Sequence, residues 1–464
     1  MKKNQIYQGF VTDNVSFGGK TATKVMGMDD GRVISVKNVI PGQTINFRLK
    51  RQGRGDLTEV VKRSPLETEE VCPVFGECGG CVYLSMDHAA QNEMKLRMVR
   101  NLFAEGDICR DLLKEIYPSP SVHAYRNKME YSFGDMEKGG ELTLGLHKKS
   151  SRYDVLTADS CLLVHEDCNE IVRRSLKFFK EHDVPYYHKR DMKGCLRHLV
   201  IRRSEHTKEL LVTLVTTTQF EDFDKKSLLD GFVNVITAPG LEGSIAGILH
   251  TANDSLSDAV KDEGTKLLYG KDYITEEVLG LEFKISPFSF FQTNTKGAEV
   301  LYSVVRDYAL SGIADGESPV IFDLYSGTGT IAQIMAPVAK KVIGVEIVEE
   351  AVEAARENAE LNGLNNCSFL AGDVLKVIET IEEVPDFLIL DPPRDGVHPK
   401  ALEKILAYGV KNIVYISCKP TSLVRDIELC REVGYEAERI CCVDMFPGTG
   451  HVETVVLMSR VEGK

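Results

Sequence analysis

A single cysteine stands where an apolar segment gives way to a helix, in the stretch VYISCKPTSLVRD. The run Ile413–Ile416 has the composition of a buried strand, and Pro420 stops that strand from continuing. The helix that follows is expected to have Thr421 or Ser422 as its cap. Taken alone, a cysteine after an apolar strand is more often a packing residue than a nucleophile. The role of Cys418 therefore depends on which groups the fold brings beside it.

A glycine-rich turn, DLYSGTGT, follows another apolar strand and opens a helix. Gly327 and Gly329 allow the backbone to turn sharply and to approach a ligand closely. The next strand ends in Glu346, an acceptor suited to ribose hydroxyls, and Asp373 after the third strand can accept from an adenine amino group. A nicotinamide dinucleotide remains an alternative ligand, because Ala332 is a permitted variant of the third glycine in such sites.

The fourth apolar strand of this region ends in DPPR, which begins at Asp391. A glycine turn, two acids at successive strand ends and Asp-Pro-Pro together are similar to the S-adenosylmethionine site of Rossmann-type methyltransferases. In open α/β sheets, ligands bind outside the carboxyl ends of the strands. Asp391, Cys418 and Glu453 are therefore expected to face one crevice together with the methyl donor.

A methyltransferase with a thiol in this crevice has a specific chemical use for it. C5 of a pyrimidine is a poor nucleophile, but thiolate attack at C6 turns C5 into an enolate carbon that can accept a methyl group. A base must then remove the C5 proton so that the thiol is eliminated, and Glu453 is the candidate, with His451 as its rival. Asp391 can accept the N3–H of uracil, a donor that cytosine lacks, which favours uracil over cytosine.

Three closely spaced cysteines, Cys72, Cys78 and Cys81, form a C-x5-C-x2-C pattern in CPVFGECGGC. Thiolates at this spacing, with glycines between them, suit a zinc ion or an iron–sulfur cluster equally well. Either group needs a fourth ligand, for which Cys161 is expected in preference to Cys168. The other cysteines have no partner pattern and are expected to be packing residues: Cys109, Cys195, Cys367, Cys430, Cys441 and Cys442.

The elements that must position these groups divide the chain into three regions. Residues 1–64 contain short strands separated by turns, which predicts a small five-stranded β-barrel of the oligonucleotide-binding type or, less specifically, a generic small β domain. Residues 65–288 mix strands with helices, which predicts an α+β domain that carries the four cysteines. Residues 289–464 alternate strands and helices, which predicts a doubly wound α/β sheet with its last strand antiparallel at the edge.

The charge is unevenly distributed over the 464 residues. The net charge is −13, yet residues 1–65 carry seven Lys and five Arg against four Asp and one Glu, a net of +7, which leaves −20 for the rest. A basic module of this kind supplies contacts to nucleic-acid phosphates or is simply a solvated face.

The chain shows no apolar stretch of membrane-spanning length and no signal-peptide pattern at its beginning. We therefore expect a cytoplasmic protein with reduced thiols, no membrane contact and no obligate protein partner.

Five motifs occur in an order that closely resembles RNA 5-methyluridine methyltransferases: SFFQTN, DLYSGTGT, DPPRDGV, SCKPTSLVRD and FPGTGHVETV. The resemblance covers essentially the whole chain. It implies S-adenosylmethionine-dependent methylation of uracil C5 in RNA, with Cys418 as nucleophile and Glu453 as base. It also implies that Phe290 or Phe291 stacks near the target base, unless both are core aromatics. The methyl-donor pocket implied by the resemblance consists of Gln292, Tyr325, Thr330, Glu346, Asp373 and Asp391.

The N-terminal barrel resembles a TRAM domain, and the four-cysteine pattern resembles the 4Fe–4S site of the ribosomal-RNA branch of this family. The transfer-RNA branch typically lacks both, so the resemblance implies 23S rRNA as substrate, with tRNA as the alternative. The target uridine must leave any stack to reach Cys418, which predicts base flipping or a single-stranded loop. Other hypotheses are a radical S-adenosylmethionine enzyme, whose cysteine spacing differs, and a non-catalytic RNA-binding assembly factor.

Two strand-like segments, YRNKMEYSFG and LRHLVIRR, place basic side chains beside aromatic or apolar ones. Such segments can bind RNA phosphates and unstacked bases. They can equally be solvated strand edges, and the sequence alone does not separate these interpretations.

Overall fold

The computed structural model describes residues 3–461 apart from 13, 17–21, 26–33, 69–71, 109, 150, 152, 221–222, 258, 312 and 314–317. Cys109, expected to be a packing residue, lies outside the described residues. None of the described helices is long and apolar enough to cross a membrane. The strands of the N-terminal region are β1 (Ile6–Val11), β2 (Asn14–Ser16), β3 (Ala22–Val25), β4 (Ile34–Lys37), β5 (Thr44–Leu49) and β6 (Arg54–Lys62).

The N-terminal strands pair in the order β1-β5-β6-β4-β3-β2. The small core of this sheet is formed by alternating buried residues of neighbouring strands, such as Ile34, Val36, Ile45 and Phe47. This alternation is expected where one face of a sheet is covered. Because the order begins with β1 and ends with β2, the described residues form an open sheet. The described sheet has six strands rather than the five expected, and closure into a barrel stays a prediction.

The middle of the chain forms a second sheet, in the order β10-β9-β8-β11-β12-β13-β14. Helices α2 and α3 cover one face, where Tyr131 and Phe133 of β8 join a core with Phe179 and Phe232. The elements of this region are α1 (His88–Glu105), β7 (Leu113–Tyr117), β8 (Lys128–Gly134), β9 (Thr143–His147), β10 (Val155–Thr157), α2 (Glu166–Glu181), β11 (Leu196–Arg203), β12 (Glu209–Thr216), α3 (Lys225–Ile236), β13 (Ser244–Ala252), β14 (Thr265–Gly270), β15 (Ile274–Val278) and β16 (Leu281–Ile285).

The arginines of LRHLVIRR, which forms β11, are buried and bonded to the protein itself. Arg202 Nε donates to Pro287 O at 3.1 Å, and Arg203 Nε donates to Asp167 Oδ2 at 3.1 Å. Arg197 donates to backbone carbonyls of the segment after β13. Both interpretations of this segment, RNA contact and solvated edge, are therefore wrong for β11, whose guanidinium groups tie the central sheet to neighbouring loops.

The C-terminal region forms the predicted Rossmann-type sheet, in the order β19-β18-β17-β20-β21-β23-β22-β7. Strands β17 to β21 are parallel to their neighbours in this order, which places their carboxyl ends on one edge. The elements of this region are α4 (Thr295–Ser311), β17 (Val320–Leu324), α5 (Thr330–Met335), β18 (Lys341–Glu346), α6 (Glu349–Leu361), β19 (Cys367–Ala371), α7 (Val374–Val377), β20 (Phe387–Leu390), α8 (Pro399–Ala407), β21 (Asn412–Ser417), α9 (Pro420–Glu432), β22 (Tyr435–Val443) and β23 (Glu453–Arg460).

The last strand, β23, is antiparallel as expected, but it does not lie at the edge. It is inserted between β21 and β22 and pairs with both. The edge position is taken by β7, which pairs in parallel with β22 although it belongs to an earlier part of the chain. Every residue of β23 from Glu453 to Met458 is buried, so the strand is covered on both faces. Its apolar run from Val455 to Met458 allows this.

Helix α1 also packs against the C-terminal sheet. Val99, Phe103 and Leu113 share a core with Leu423 and Ile427 of α9. The predicted domain boundaries after residues 64 and 288 stay a prediction. The segment 88–117 precedes the central sheet along the chain, yet it packs with the C-terminal sheet.

Candidate active site

Three predicted site residues meet where neighbouring strands of the C-terminal sheet end. Asp391 directly follows β20, and Cys418 directly follows β21, its parallel neighbour. Glu453 is the first residue of β23, which runs antiparallel to β21 with Ser417 opposite Thr454. Because the end of β21 lies beside the beginning of β23, Cys418 and Glu453 are neighbours although 34 positions separate them along the chain.

The turn after Cys418 differs in detail from the sequence-based expectation. Helix α9 begins at Pro420, with Lys419 rather than Thr421 or Ser422 at its N-cap. Proline suits the first turn of a helix because its missing N–H would have no intrahelical partner there. Ser422 Oγ instead donates to Arg394 O at 3.0 Å, which ties the helix start to the DPPR segment.

The ionisable groups around Cys418 shift one another's pKa values. Desolvation raises the pKa of Asp391 to about 7. Burial and then the negative charge of Asp391 raise the pKa of Glu453, which is 3% exposed, to about 8, against the opposing charge of Arg394. Burial, followed by the charge of Glu453, raises the pKa of the Cys418 thiol to about 11. Arg394 opposes this rise through its positive charge and a hydrogen bond, so it is the group that favours the thiolate.

The two candidate bases differ strongly in basicity. Desolvation and the positive charges of Arg394, Lys95 and Arg126 lower the pKa of His451 to about 4. A group with so low a pKa is a poor proton acceptor near neutral pH, whereas a carboxyl with a pKa of about 8 is a stronger base once ionised. This contrast favours Glu453 over His451 as the base.

Two further groups lie close to this crevice, and sequence reasoning did not single them out. Asp323 in β17 is fully buried and accepts from Ala332 N at 3.0 Å through Oδ2, while its Oδ1 has no hydrogen-bond partner among the described residues. Burial and the charge of Asp391 raise its pKa well above the ordinary range. Burial and the charges of Asp391, Asp323 and Glu453 likewise raise the pKa of Tyr302. Asp323 opens the glycine motif and could have been found there, whereas Tyr302 of α4 carries no motif.

The glycine-rich turn is tied to the end of β18. Gly327 N donates to Glu346 Oε2 at 3.0 Å, and the other carboxylate oxygen accepts from Val348 N at 3.0 Å. Tyr325 adopts a left-handed backbone conformation with φ 69°, which costs energy for a residue other than glycine and is typical of functional turns. It is held there by its N–H, which donates to Val345 O at 2.9 Å.

Two more of the predicted donor-site residues lie at this edge. Asp373 caps α7 through a bond from Leu375 N at 3.0 Å, and its charge, after burial, helps raise the pKa of Tyr325 to about 12. Thr330 begins α5 immediately after the turn. The structure thus brings Tyr325, Thr330, Glu346 and Asp373 to the carboxyl ends of β17, β18 and β19.

The SFFQTN segment adjoins the same turn, since Thr328 Oγ1 donates to Phe290 O at 3.4 Å. Gln292 lies two residues further on and is half-buried. The two aromatics differ, because Phe291 is 6% exposed and packs on Phe283 with ring centroids 5.9 Å apart, whereas Phe290 is 70% exposed. Phe290 is therefore the side chain available for stacking with a base, and Phe291 is a core residue.

The four predicted cysteine ligands line one cavity of about 570 Å³, together with Arg126 and Thr293. Burial and the charges of Cys161, Cys78 and Cys72 raise the pKa of Cys81 to about 12. Gly80 N lies 3.3 Å from Cys78 Sγ in hydrogen-bonding geometry. Within the described part of the chain, no group of three or more His, Cys, Asp or Glu residues is arranged to hold a metal ion. Cys168 is 2% exposed in the central core and does not line the cavity.

Comparisons with known proteins identify the family. The family model described as tRNA (Uracil-5-)-methyltransferase matches residues 257–461. An uncharacterized RNA methyltransferase from Clostridium tetani is 48% identical over 435 residues, which is 93% of each chain. A second, from Clostridium acetobutylicum, is 45% identical over 99% of each chain. The chain belongs to the RNA (uracil-5-)-methyltransferase family.

A solved structure resembles the whole methyltransferase. It is the Pyrococcus abyssi tRNA (uracil-54, C5)-methyltransferase in complex with S-adenosyl-L-homocysteine, which has 25% sequence identity and a TM-score of 0.74. The match covers 97% of this chain and all of the Pyrococcus abyssi chain. The predicted enzyme class, an S-adenosylmethionine-dependent RNA methyltransferase, is confirmed.

The loop that leads to Glu453 in this methyltransferase is held from outside along its length. In isolation, Gly448 and Gly450 would leave such a loop mobile. Its successive carbonyls instead accept hydrogen bonds from separate elements: Met445 O from Asn294 Nδ2 at 2.9 Å, Phe446 O from Lys95 Nζ at 3.0 Å, Pro447 O from the Tyr125 hydroxyl at 2.9 Å, and Gly448 O from Val82 N and Tyr83 N at 2.9 Å each. The loop that leads to Glu453 is therefore held by four separate parts of the chain: the residue before helix α4, helix α1, the segment before β8 and the cysteine-rich segment.

A buried ion pair anchors the beginning of the loop. The side chains of Lys95 and Asp444 are both fully buried, with Lys95 Nζ 2.7 Å from Asp444 Oδ1. His88 Nε2 lies 2.9 Å from the other oxygen. Although burial opposes it, the bonds from His88 and Lys95 hold the pKa of Asp444 below its ordinary value.

We expect Lys95→Met to lower the free energy of unfolding by about 3–5 kcal/mol, because the Asp444 carboxylate stays buried without its cation. Turnover at saturating substrate should also fall, since Phe446 O loses its donor and the loop before Glu453 is released. Urea unfolding and steady-state kinetics measure the two effects.

The double variant Lys95→Met/Asp444→Asn is the matched control, because it removes both charges. It should regain part of the stability but not the turnover. Equal stability of the single and double variants would contradict a cost that arises from the unpaired carboxylate.

Proposed function

We propose that this protein transfers a methyl group from S-adenosylmethionine to C5 of a uridine in RNA, with Cys418 as nucleophile and Glu453 as base. The observation that carries the proposal is the meeting of Asp391, Cys418 and Glu453 at adjoining strand ends of a methyltransferase sheet. A thiol beside a strong carboxylate base has a defined use in methylating a pyrimidine carbon, and none in methylating a nitrogen or a ribose hydroxyl.

Each side chain has a distinct part in the proposed reaction. The Cys418 thiolate, favoured by Arg394, forms a bond to C6, and the electron pair of the C5–C6 double bond moves into an enolate. C5 then attacks the methyl carbon of the donor's sulfonium, whose S–CH3 bond breaks, so that the donor leaves as the neutral thioether. Glu453 removes the C5 proton, the double bond re-forms and the C–S bond breaks, which releases Cys418. Asp391, ionised above its pKa of about 7, accepts the N3–H of uracil.

The methyl donor has a matching set of side chains around the glycine-rich turn. Glu346 and Asp373 are placed to accept from ribose hydroxyls and the adenine amino group, in line with their positions after β18 and β19. In this proposal Gln292, Tyr325 and Thr330 complete the pocket.

Replacing the nucleophile and the base should have opposite effects on the covalent intermediate. We expect Cys418→Ala to lower turnover by roughly 10³-fold or more and to form no adduct with RNA, while methyl-donor binding is retained. Glu453→Gln should accumulate a covalent protein–RNA adduct, because addition and methylation proceed but elimination stalls. Denaturing electrophoresis with labelled RNA measures the adduct.

Cys367→Ala is the matched control, because this half-buried cysteine begins β19 and so lies at the opposite end of the strands from the crevice. It should keep turnover and, like the wild type, form an adduct with RNA that contains 5-fluorouridine, whereas Cys418→Ala should form none. The covalent scheme fails if wild-type protein forms no adduct with RNA that contains 5-fluorouridine.

The proposed RNA is 23S rRNA, and tRNA is the second candidate. The four-cysteine cavity and the basic N-terminal region support rRNA through their resemblance to the ribosomal-RNA branch. The Pyrococcus abyssi enzyme, named for tRNA uracil-54 and similar over nearly the whole chain, favours tRNA. A cytoplasmic location is part of the proposal, since it suits both RNAs and the reduced thiols.

In cells that lack this protein, we expect one or more 5-methyluridines to disappear from 23S rRNA while those of tRNA persist. Mass spectrometry of nuclease fragments from both RNAs measures this, and expression of the Cys418→Ala variant in the same cells is the control that should not restore the modification. Loss from tRNA alone would establish the second candidate instead.

We also propose that Cys72, Cys78, Cys81 and Cys161 hold a 4Fe–4S cluster. A tetrahedral zinc ion with bonds of about 2.3 Å needs its sulfur atoms about 3.8 Å apart, and the described residues contain no group arranged for a single ion. A cubane cluster, in which each thiolate binds a different iron, is larger than a single ion, and these four thiols line one cavity of about 570 Å³. The backbone N–H near Cys78 Sγ suits a thiolate ligand.

Protein purified without oxygen should contain about four iron atoms per chain if this assignment is right. Cys81→Ala should lose most of that iron, whereas Cys168→Ala, a buried thiol outside the cavity, should retain it. Elemental analysis for iron, sulfide and zinc measures the outcome. One zinc per chain in the wild type, or unchanged iron in Cys81→Ala, would contradict the cluster.

A further inference from the structure

A second cavity, of about 310 Å³, lies against the central sheet, where Ser132 Oγ lies 3.4 Å from both His147 Nε2 and His198 Nδ1. Along β8, Met129, Tyr131 and Phe133 are buried, with Tyr131 and Phe133 in the core beneath the helices. Ser132 alternates with them and lines this cavity. His147 of β9 lines both this cavity and the one that contains the four cysteines, so the two cavities adjoin at this residue.

The second cavity presents aromatic faces and a guanidinium group. Tyr153 is 53% exposed, and the Arg190 guanidinium lies over its ring at 4.6 Å from the centroid. The rings of Tyr186 and His188 lie 4.2 Å apart at 35°. We name the site formed by Tyr153, Tyr186, His188 and Arg190 the tyrosine pocket. Tyr, His and Arg planes are the side chains on which unpaired RNA bases stack.

The charge around the tyrosine pocket differs from that of the whole chain. The whole chain has a net charge of −13. The pocket, in contrast, is bordered by four cationic side chains and three carboxylates: Lys138, Lys189, Arg190 and Arg197, and Asp135, Asp154 and Asp191. One carboxylate and one cation are engaged within the protein: Gly139 N donates to Asp135 Oδ2 at 2.8 Å, and Arg197 donates to backbone carbonyls after β13. Lys138, Lys189 and Arg190 remain against Asp154 and Asp191. The pocket is thus a locally cationic site with stacking surfaces, which is the chemistry that binds a nucleotide.

The tyrosine pocket is connected to the proposed active site through the cavity that contains the four cysteines. The cysteine-lined cavity reaches Thr293 and is bordered by Arg126 and Lys128. Asn127 donates to Thr293 O at 2.9 Å and to Gln292 O at 3.0 Å, so this end adjoins the proposed methyl-donor site. From its first to its last residue, β8 advances by about 20 Å. An RNA strand that runs along β8 from a target base at the proposed active site therefore spans several nucleotides before it meets the tyrosine pocket.

We propose that the tyrosine pocket binds an unpaired nucleotide of the RNA substrate, several positions away from the target uridine. Its base stacks with Tyr153 or Tyr186, and its phosphate is contacted by Arg190 and Lys138. A cavity of about 310 Å³ is small for a ligand site and suits a single nucleotide. This inference rests on the proposed function, because it takes RNA as the substrate.

The test compares two RNAs that carry the same target uridine, one with its natural single-stranded flanks and one cut back to the target loop. For Tyr153→Ala/Arg190→Ala we expect the KM for the longer RNA to rise about tenfold, since stacking contributes roughly 1–3 kcal/mol per base. The kcat, the affinity for S-adenosylmethionine and the KM for the short RNA should stay at wild-type values.

Tyr269→Ala is the matched control, since this tyrosine is 45% exposed on β14, at the opposite edge of the same sheet. It should leave both KM values unchanged. Photo-crosslinking gives an independent readout: 4-thiouridine at one flanking position should label the peptide that contains Tyr153 or Arg190, and the label should be lost in the double variant.

The outcomes separate this inference from the function on which it rests. Wild-type KM for the longer RNA in the double variant would overturn the tyrosine pocket while leaving the methylation chemistry intact. An equal rise in KM for both RNAs would also overturn it, because the effect would not depend on the flank. Absence of uracil methylation in either RNA by the wild-type protein would instead overturn the proposed function, and this inference with it.

Discussion

The antiparallel pairing of β21 with β23 is the constraint on which the active site depends. It fixes the end of one strand against the beginning of the other, so that Cys418 and Glu453 approach each other without either side chain being held by a long loop. Backbone hydrogen bonds in a buried sheet define this register, because a slip by one residue would move buried apolar side chains of β23 to the wrong face. The proposed chemistry needs that precision, since the same C5–C6 bond is attacked at one carbon and deprotonated at the other.

Several acidic groups lie in the poorly solvated crevice, and the positive charge of Arg394 partly offsets the effect of their burial. Asp391, Glu453 and Asp323 all have raised pKa values, chiefly because burial penalises their charged forms. Arg394 opposes this at Glu453 and at Cys418. The shared charge makes the protonation of Cys418 and of Glu453 depend on each other and on Asp391.

The loop that precedes Glu453 shows how distant parts of the chain reach the site. Lys95 of α1, Tyr125 before the central sheet and the backbone beside Cys81 each hold one of its carbonyls. A proline–glycine loop has many conformations available. Hydrogen bonds from the surrounding folded elements stabilise one of them and offset the loss of conformational entropy. The cysteine-rich segment is thus in direct contact with the loop that leads to Glu453.

The sequence by itself determined the Rossmann-type sheet, the glycine turn and the order of the five motifs, because these depend on local alternation of strands and helices and on residue types at fixed spacing. It also placed Asp391 and Cys418 at strand ends. Only the tertiary structure decided that β23 lies inside the sheet, that Phe290 rather than Phe291 is exposed, and that the arginines of β11 are buried. Strand order, exposure and buried ion pairs such as that of Lys95 arise from contacts between residues far apart in the chain, and no local pattern records them.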